Sequence, residues 1–168
     1  PEVNMADSEV ELLEFGSAGF RRLAEDPVRH ARSVGFELDG HAALIQVIAA
    51  NSAAFQEREG IQPPWGGYLA VDPSTRIVVG TCGFKGPPGA DSAVEIAYFT
   101  FPGGEGKGIG TAMARALCRI ASAHGDVRVV EFTDGIRSPA GPFNHGLDLA
   151  RAEFVTILRS DDQFEAGA

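Results

Sequence analysis

The stretch Ala93–His124 constrains what this chain can fold into more than any other. It reads as an apolar strand, Ala93–Phe101, then a loop, Pro102–Gly110, then an amphipathic helix, Thr111–His124, in direct succession. The loop runs Pro102-Gly-Gly-Glu-Gly-Lys-Gly-Ile-Gly-Thr111, with glycine alternating at 104, 106, 108 and 110. Glycine lets the backbone take left-handed conformations and brings amide N–H groups close to a ligand. At a helix start those amides join the unpaired donors of the first turn, at the positive end of the helix dipole. That combination binds phosphate or pyrophosphate. A P-loop is excluded, because Lys107 is followed by Gly108 and not by Ser or Thr. A dinucleotide fingerprint also fails, since its sixth position is Thr111 counted from Gly106 and Met113 counted from Gly108. A flexible turn that merely opens a helix on glycine stays open as the alternative.

The rest of the chain supplies elements for that segment to pack on. Val10–Phe15 reads as a strand, and Ser17 as the cap of a short helix with Phe20 and Leu23 on its apolar face. Asp26-Pro27 reads as an N-cap followed by a first-turn proline, and Gly35 closes the helix they open. His41–Glu59 is a longer helix with Leu44, Ile45, Ile48 and Phe55 on one stripe and Gly60 as its stop. After a loop over 61–67, Tyr68–Val71 and Arg76–Lys85 read as strands joined by the turn Asp72-Pro-Ser-Thr75. Gly86–Ser92 is a further turn. Beyond Gly125, Val127–Phe132 and Val155–Leu158 read as strands. The order predicts an α/β or α+β layer sandwich, an antiparallel meander followed by one right-handed crossover helix into a parallel neighbour. With 168 residues and no repeat or linker, one domain over 1–168 is expected, with 1–9 and 160–168 as flexible termini.

Composition narrows the function classes. The formal net charge of -9 argues against a nucleic-acid backbone binder and is weakly compatible with a cationic acceptor. Acidity for solubility alone explains it as well. Ala42–Ala50, the longest apolar stretch, is interrupted by Gln46 and is too short to span a bilayer, so no membrane association is expected. Pro1-Glu-Val-Asn-Met-Ala lacks a basic, then apolar, leader pattern, which predicts no signal peptide and a cytoplasmic protein. Cys82 and Cys118 have no CxxC spacing, and His30, His41, His124 and His145 have no metal-ligand spacing, so no metal is expected.

Val94-Glu-Ile-Ala-Tyr98, a short turn, and Glu105-Gly-Lys-Gly-Ile-Gly-Thr-Ala112 opening a helix resemble the coenzyme A-binding motif of the GNAT superfamily of N-acetyltransferases. That motif is written Arg/Gln-x-x-Gly-x-Gly/Ala. Gly108 and Gly110 fill its small-residue positions, and Glu105 departs from Arg/Gln by placing a carboxylate near the phosphate site, where Lys107 can compensate. With Ile77-Val-Val-Gly-Thr-Cys-Gly-Phe84, the pattern is most similar to the ribosomal-protein-acetyltransferase-like branch. The resemblance covers Trp65–Phe132 well and Val10–Gly60 loosely, and it fails after Phe132.

The resemblance implies a mixed, mostly antiparallel sheet flanked by helices, with a V-shaped splay between two parallel strands that admits acetyl-CoA. It implies backbone groups from Phe99, Thr100 and Phe101 along the pantetheine arm. Glu105, Gly106, Lys107, Gly108, Ile109, Gly110 and Thr111 would surround the pyrophosphate, with Asn144 also placed at the cofactor. Glu95, a carboxylate within an apolar strand, is the first candidate base, and a structural or solvent-facing glutamate is the alternative. Ser138, Asn144 and His145 are positional candidates for the acid, with a bland loop histidine as the alternative for His145. Trp65, Tyr68 and Tyr98 are candidates for the acceptor pocket, and Trp65 reads equally as packing between helix and sheet. The leading expectation is an acetyl-CoA-dependent N-acetyltransferase acting on a primary amine of a small molecule or a protein N-terminus. A CoA-binding or protein-interaction module without strong activity is the second, and a different phosphate-ligand enzyme the third. An open sheet edge that a second subunit could cover points to a homodimer.

Overall fold

The computed structural model describes residues 9–90, 92–124 and 127. All belong to the first of two compact units, Pro1–Val129; the second, Val130–Ala168, lies outside the described residues. The expected strand Val155–Leu158, and all but Val127 of the expected strand at 127–132, lie outside the described residues.

The elements run β1 (Glu11–Phe15), α1 (Ser17–Glu25), α2 (Pro27–Val34), α3 (Ala42–Glu59), β2 (Gly67–Val71), β3 (Val78–Phe84), β4 (Ile96–Thr100) and α4 (Ile109–Ser122). The strands form one sheet in the order β1-β2-β3-β4, every described neighbour antiparallel. This is the mixed α/β, mostly antiparallel architecture expected from the sequence.

Local chemistry explains most boundaries. The Asp26 carboxylate accepts the Arg29 N–H at 3.0 Å and Pro27 occupies the first turn of α2. Gly35 and Gly60 close α2 and α3. The Asp72 carboxylate accepts from the Ser74 hydroxyl (2.6 Å) and from the Ser74 and Thr75 amides (2.8 and 3.0 Å), which fixes the β2–β3 turn. Those bonds, the Ser74 side chain first, hold the Asp72 carboxyl below its ordinary range. Several boundaries differ from expectation. Ser17 is the first residue of α1, and Gly16 caps it without a side-chain bond. His41 caps α3 instead of joining it. β3 begins at Val78, because Arg76 sits at φ 61°, outside the extended region.

Alternation along β2 sorts the core into two clusters, one on each face of the sheet. Leu69 and Val71 join Phe15, Phe20, Leu23, Phe36, Ile45 and Phe101 on the face covered by α1–α3. Tyr68 and Ala70 join Cys82, Phe84, Met113 and Leu117 on the face covered by α4. In β3 the register slips, with Ala70 opposite Gly80 but Val71 opposite Val78, so Val79 is an extra residue. The slip returns Val78 to the α1–α3 face, opposite Val71. At Gly83, a Cβ would stand 2.6 Å from the Gly66 carbonyl oxygen, so no side chain fits there.

Candidate functional site

β4 ends at Thr100, and the chain turns through Pro102–Gly108 into α4. Gly103, Gly106 and Gly108 take φ of 86°, 73° and 76°, and Gly108 is the residue that caps α4. A side chain at Gly108 would be strained there. No side chain caps the helix and its first turn holds no acidic residue. The amides of Ile109, Gly110 and Thr111 precede the first intrahelical bond, from Ala112 N–H to Gly108 O at 2.9 Å. α4 therefore begins one residue past a left-handed turn, two residues earlier than the sequence pattern predicts, with its positive end uncapped by any side chain. The donor set suits an anion. Glu105, the departure from the motif, accepts the Gly103 N–H at 2.8 Å, while the Lys107 ammonium bonds the Gly103 carbonyl at 2.7 Å. Both charges thus brace Gly103, one through the peptide before it and one through the peptide after it.

β4 has its own backbone parity. Lys85 N–H donates to Glu95 O at 3.0 Å, and Phe101 N–H donates to Val79 O at 2.9 Å. In an antiparallel ladder this alternates, so Ala97 and Phe99 also turn their peptide groups toward β3. Ile96, Tyr98 and Thr100 turn theirs toward the opposite edge, which carries no strand among the described residues. This corrects two of the three expected backbone donors: the Phe101 N–H is occupied by β3, and by the same alternation the Phe99 peptide groups face β3 and not a ligand. The edge-directed groups are those of Tyr98 and Thr100.

Side chains alternate on the same strand. Ile96 packs on the α4 face, and the Tyr98 ring lies 3.3 Å from where a Cβ on Gly110 would stand, over the start of α4. Ala97 and Phe99 fall on the α3 face. There a cleft of about 340 Å³ opens between α3, through Ile48, Asn51, Ser52, Phe55 and Gln56, and the strands β3 and β4. Gly66 and Gly67 complete its floor. Gln56 is 3% exposed, and its side-chain amide donates to Phe15 O at 3.3 Å. Tyr98 and Phe99 are 44% and 46% exposed, large for aromatic side chains, and both line the cleft.

The structure distributes the sequence candidates unevenly. Phe99, Thr100, Glu105, Gly106, Lys107, Gly108, Ile109, Gly110 and Thr111 cluster at the end of β4 and the start of α4. Glu95 is exposed, just before β4 instead of within it. Its backbone pairing with Lys85 puts it on the α3 face, two residues before Ala97. Trp65 packs against Phe84 (5.1 Å between ring centres) and His124 (5.2 Å), which is the alternative raised for it. Tyr68 is buried on the α4 face, and its hydroxyl donates to Pro64 O at 2.6 Å and lies 3.3 Å from the Glu14 carboxylate. Burial first, then the Glu14 charge, push its ionisation well above the ordinary phenol range. Neither Trp65 nor Tyr68 lines the cleft. Ser138, Asn144 and His145 lie outside the described residues. Sequence reasoning missed Asn51, Ser52 and Lys85; the signal available was polar residues interrupting the apolar stripe of α3.

Among the described residues no cluster of three or more His, Cys, Asp or Glu could hold a metal, and no helix is long and apolar enough to cross a membrane. A family model described as an acetyltransferase (GNAT) domain matches residues 14–140. No curated protein and no solved structure shows a match to the chain.

Proposed function

Because this chain belongs to the GNAT acetyltransferase family, with acetyl-CoA as the family's cosubstrate, we propose that it transfers the acetyl group to a primary amine by direct attack. The observation that supports this reading best is the start of α4: a helix whose first amides have no side-chain cap, entered through left-handed glycines at the end of β4. The amides of Ile109, Gly110 and Thr111 would hold the pyrophosphate. The edge-directed peptide groups of Tyr98 and Thr100 would pair with the pantetheine arm and offer an N–H to the thioester oxygen. Within the family, the sequence patterns of Ile77–Phe84 and Val94–Tyr98 support a reading nearest the ribosomal-protein-acetyltransferase-like branch.

The step balances without a metal or redox partner. The amine nitrogen attacks the thioester carbonyl, the C–N bond forms, and the C–S bond breaks. One amine proton leaves to a base, and the departing CoA thiolate takes up a proton. Glu95 is the base on this reading: it stands on the cleft face of the sheet, beside the β4 residues that line the acceptor space. Its exposure allows the transfer to run through a water.

The test has two parts. Acetyl-CoA should raise the Tm, and thiol release from acetyl-CoA should appear with a subset of amines. No stabilisation by acetyl-CoA would overturn the reading. Glu95→Gln should leave acetyl-CoA affinity unchanged and lower kcat about 100-fold; unchanged kcat removes Glu95 from the mechanism. A second reading, a CoA-binding module without turnover, is favoured by the exposure of Glu95 and by Glu105 at the motif's Arg/Gln position. Tight acetyl-CoA binding with no thiol release on any amine would select it.

A further inference from the structure

The chain is strongly acidic, yet among the described residues no carboxylate lines the cleft between α3 and the sheet. Among the described residues the lining is mostly apolar, through Ile48, Phe55, Ala97 and Phe99, and Lys85 is its one charged member. At about 340 Å³ it lies near the small end of small-ligand pockets and suits one compact molecule. A polyamine or other polycation would meet Lys85 without an acidic wall to hold it.

Lys85 has a defined neighbour. The bond from Lys85 N–H to Glu95 O identifies the two as directly opposed residues across β3 and β4. Opposed residues project on the same face, with Cα atoms about 5.5 Å apart in a hydrogen-bonded pair. Here that face is the cleft face, since Thr81, opposite Phe99, and Gly83, opposite Ala97, share the parity and line the cleft. Among the described residues no ion pair joins these two side chains. One cation and one anion thus stand side by side at the mouth of an apolar recess.

We propose that the acceptor is a zwitterionic α-amino acid with an apolar side chain. Its carboxylate meets Lys85, its amino group meets Glu95, and its side chain enters the space between α3 and Phe99. An α-amino acid carries its two charges a few ångströms apart on one carbon, as this pair requires. The inference deepens the acetyltransferase reading and rests on it.

The experiment measures kcat/KM for thiol release with L-phenylalanine, phenethylamine, glycine and spermidine. Phenylalanine should exceed glycine by at least about tenfold, because an aromatic side chain is buried. It should exceed phenethylamine by about fivefold, the scale of one exposed charge pair. Lys85→Ala should abolish that fivefold preference and Lys85→Glu should reverse it, both with unchanged acetyl-CoA affinity by calorimetry. Preference for spermidine, equal rates with phenylalanine and glycine, or a phenethylamine ratio unmoved in Lys85→Ala would each overturn the proposal. If acetyl-CoA binds but no amine turns over, the acetyltransferase reading fails. Calorimetric binding of phenylalanine against phenethylamine to the CoA complex then decides the ligand class alone: tighter phenylalanine binding that depends on Lys85 supports it, and equal binding overturns it.

Discussion

Two helices of this chain begin in opposite ways. α2 opens on Asp26 and Pro27, with the Asp26 carboxylate on the Arg29 amide and a proline where an unpaired N–H would otherwise stand. Its positive end is neutralised from within. α4 opens on Gly108 in a left-handed conformation, with no side-chain cap and no acidic residue in its first turn. A cap of the Asp26 kind contributes about 1 kcal/mol to stability, so omitting one at α4 sacrifices a stabilisation that this sequence makes elsewhere. α1 and α3 also lack a side-chain cap, so what sets α4 apart is its entry through left-handed glycines, and on that entry the proposed pyrophosphate site rests.

The contrast can be broken by giving α4 what α2 already has. Thr111 is exposed in the first turn of α4, and Thr111→Asp puts a carboxylate where the dipole favours it. Acetyl-CoA affinity should fall at least about tenfold, while the unfolding free energy rises by about 0.5 kcal/mol; calorimetry and urea denaturation read the two. Unchanged affinity would remove the helix start from the binding site. Next in size, Gly108→Ala should cost about 1–2 kcal/mol, because φ is 76° there, measured by the same denaturation. Asp26→Ala should lower stability by about 1 kcal/mol and leave acetyl-CoA affinity untouched. An effect on affinity would mean the two helix ends are not independent.

The smallest effect concerns His30 in α2. Partial burial, with the Arg22 charge adding to it, lowers its pKa below the ordinary 6.5. Folding therefore favours the neutral imidazole. Its contribution is fully present above about pH 6.5 and declines as the pH falls below that value. His30→Gln should narrow the drop in Tm between about pH 7.5 and about pH 5.5. An unchanged drop would place the acid sensitivity elsewhere.

Much of this architecture was legible in the sequence, because short-range chemistry sets it. Asp26-Pro27, Asp72 in its turn, Gly35 and Gly60 announce their elements through hydrogen bonds or backbone conformations that involve only near neighbours. The glycine run before α4 was legible for the same reason. What was not legible depends on register. Tyr68 and Leu69 look alike as strand residues, yet one faces α4 and the other α1–α3. The extra residue at Val79, next to Gly80, moves Val78 to the other face, and nothing in the local pattern says on which side of that glycine the slip falls. The parity that takes up the Phe101 N–H and leaves Tyr98 and Thr100 at the edge follows from pairing with β3, which no local pattern carries. Lys85 and Glu95 are ten positions apart and become neighbours only through that pairing.

The Gly66–Gly83 crossing has a consequence for how this cleft could change. With the Gly66 carbonyl 2.6 Å from the place of a Cβ on Gly83 and bonded to Phe84 N–H at 3.0 Å, the sheet side of the floor is bare main chain. Selection cannot reshape it by exchanging side chains there. Diversification among related sequences, or a designer's library, would have to work around that point, through the opposing helix at Asn51, Ser52 and Phe55, through Ala97 and Phe99 on β4, or through the rim at Lys85. The walls of the cleft can then vary while the Gly66–Gly83 crossing beneath them stays fixed.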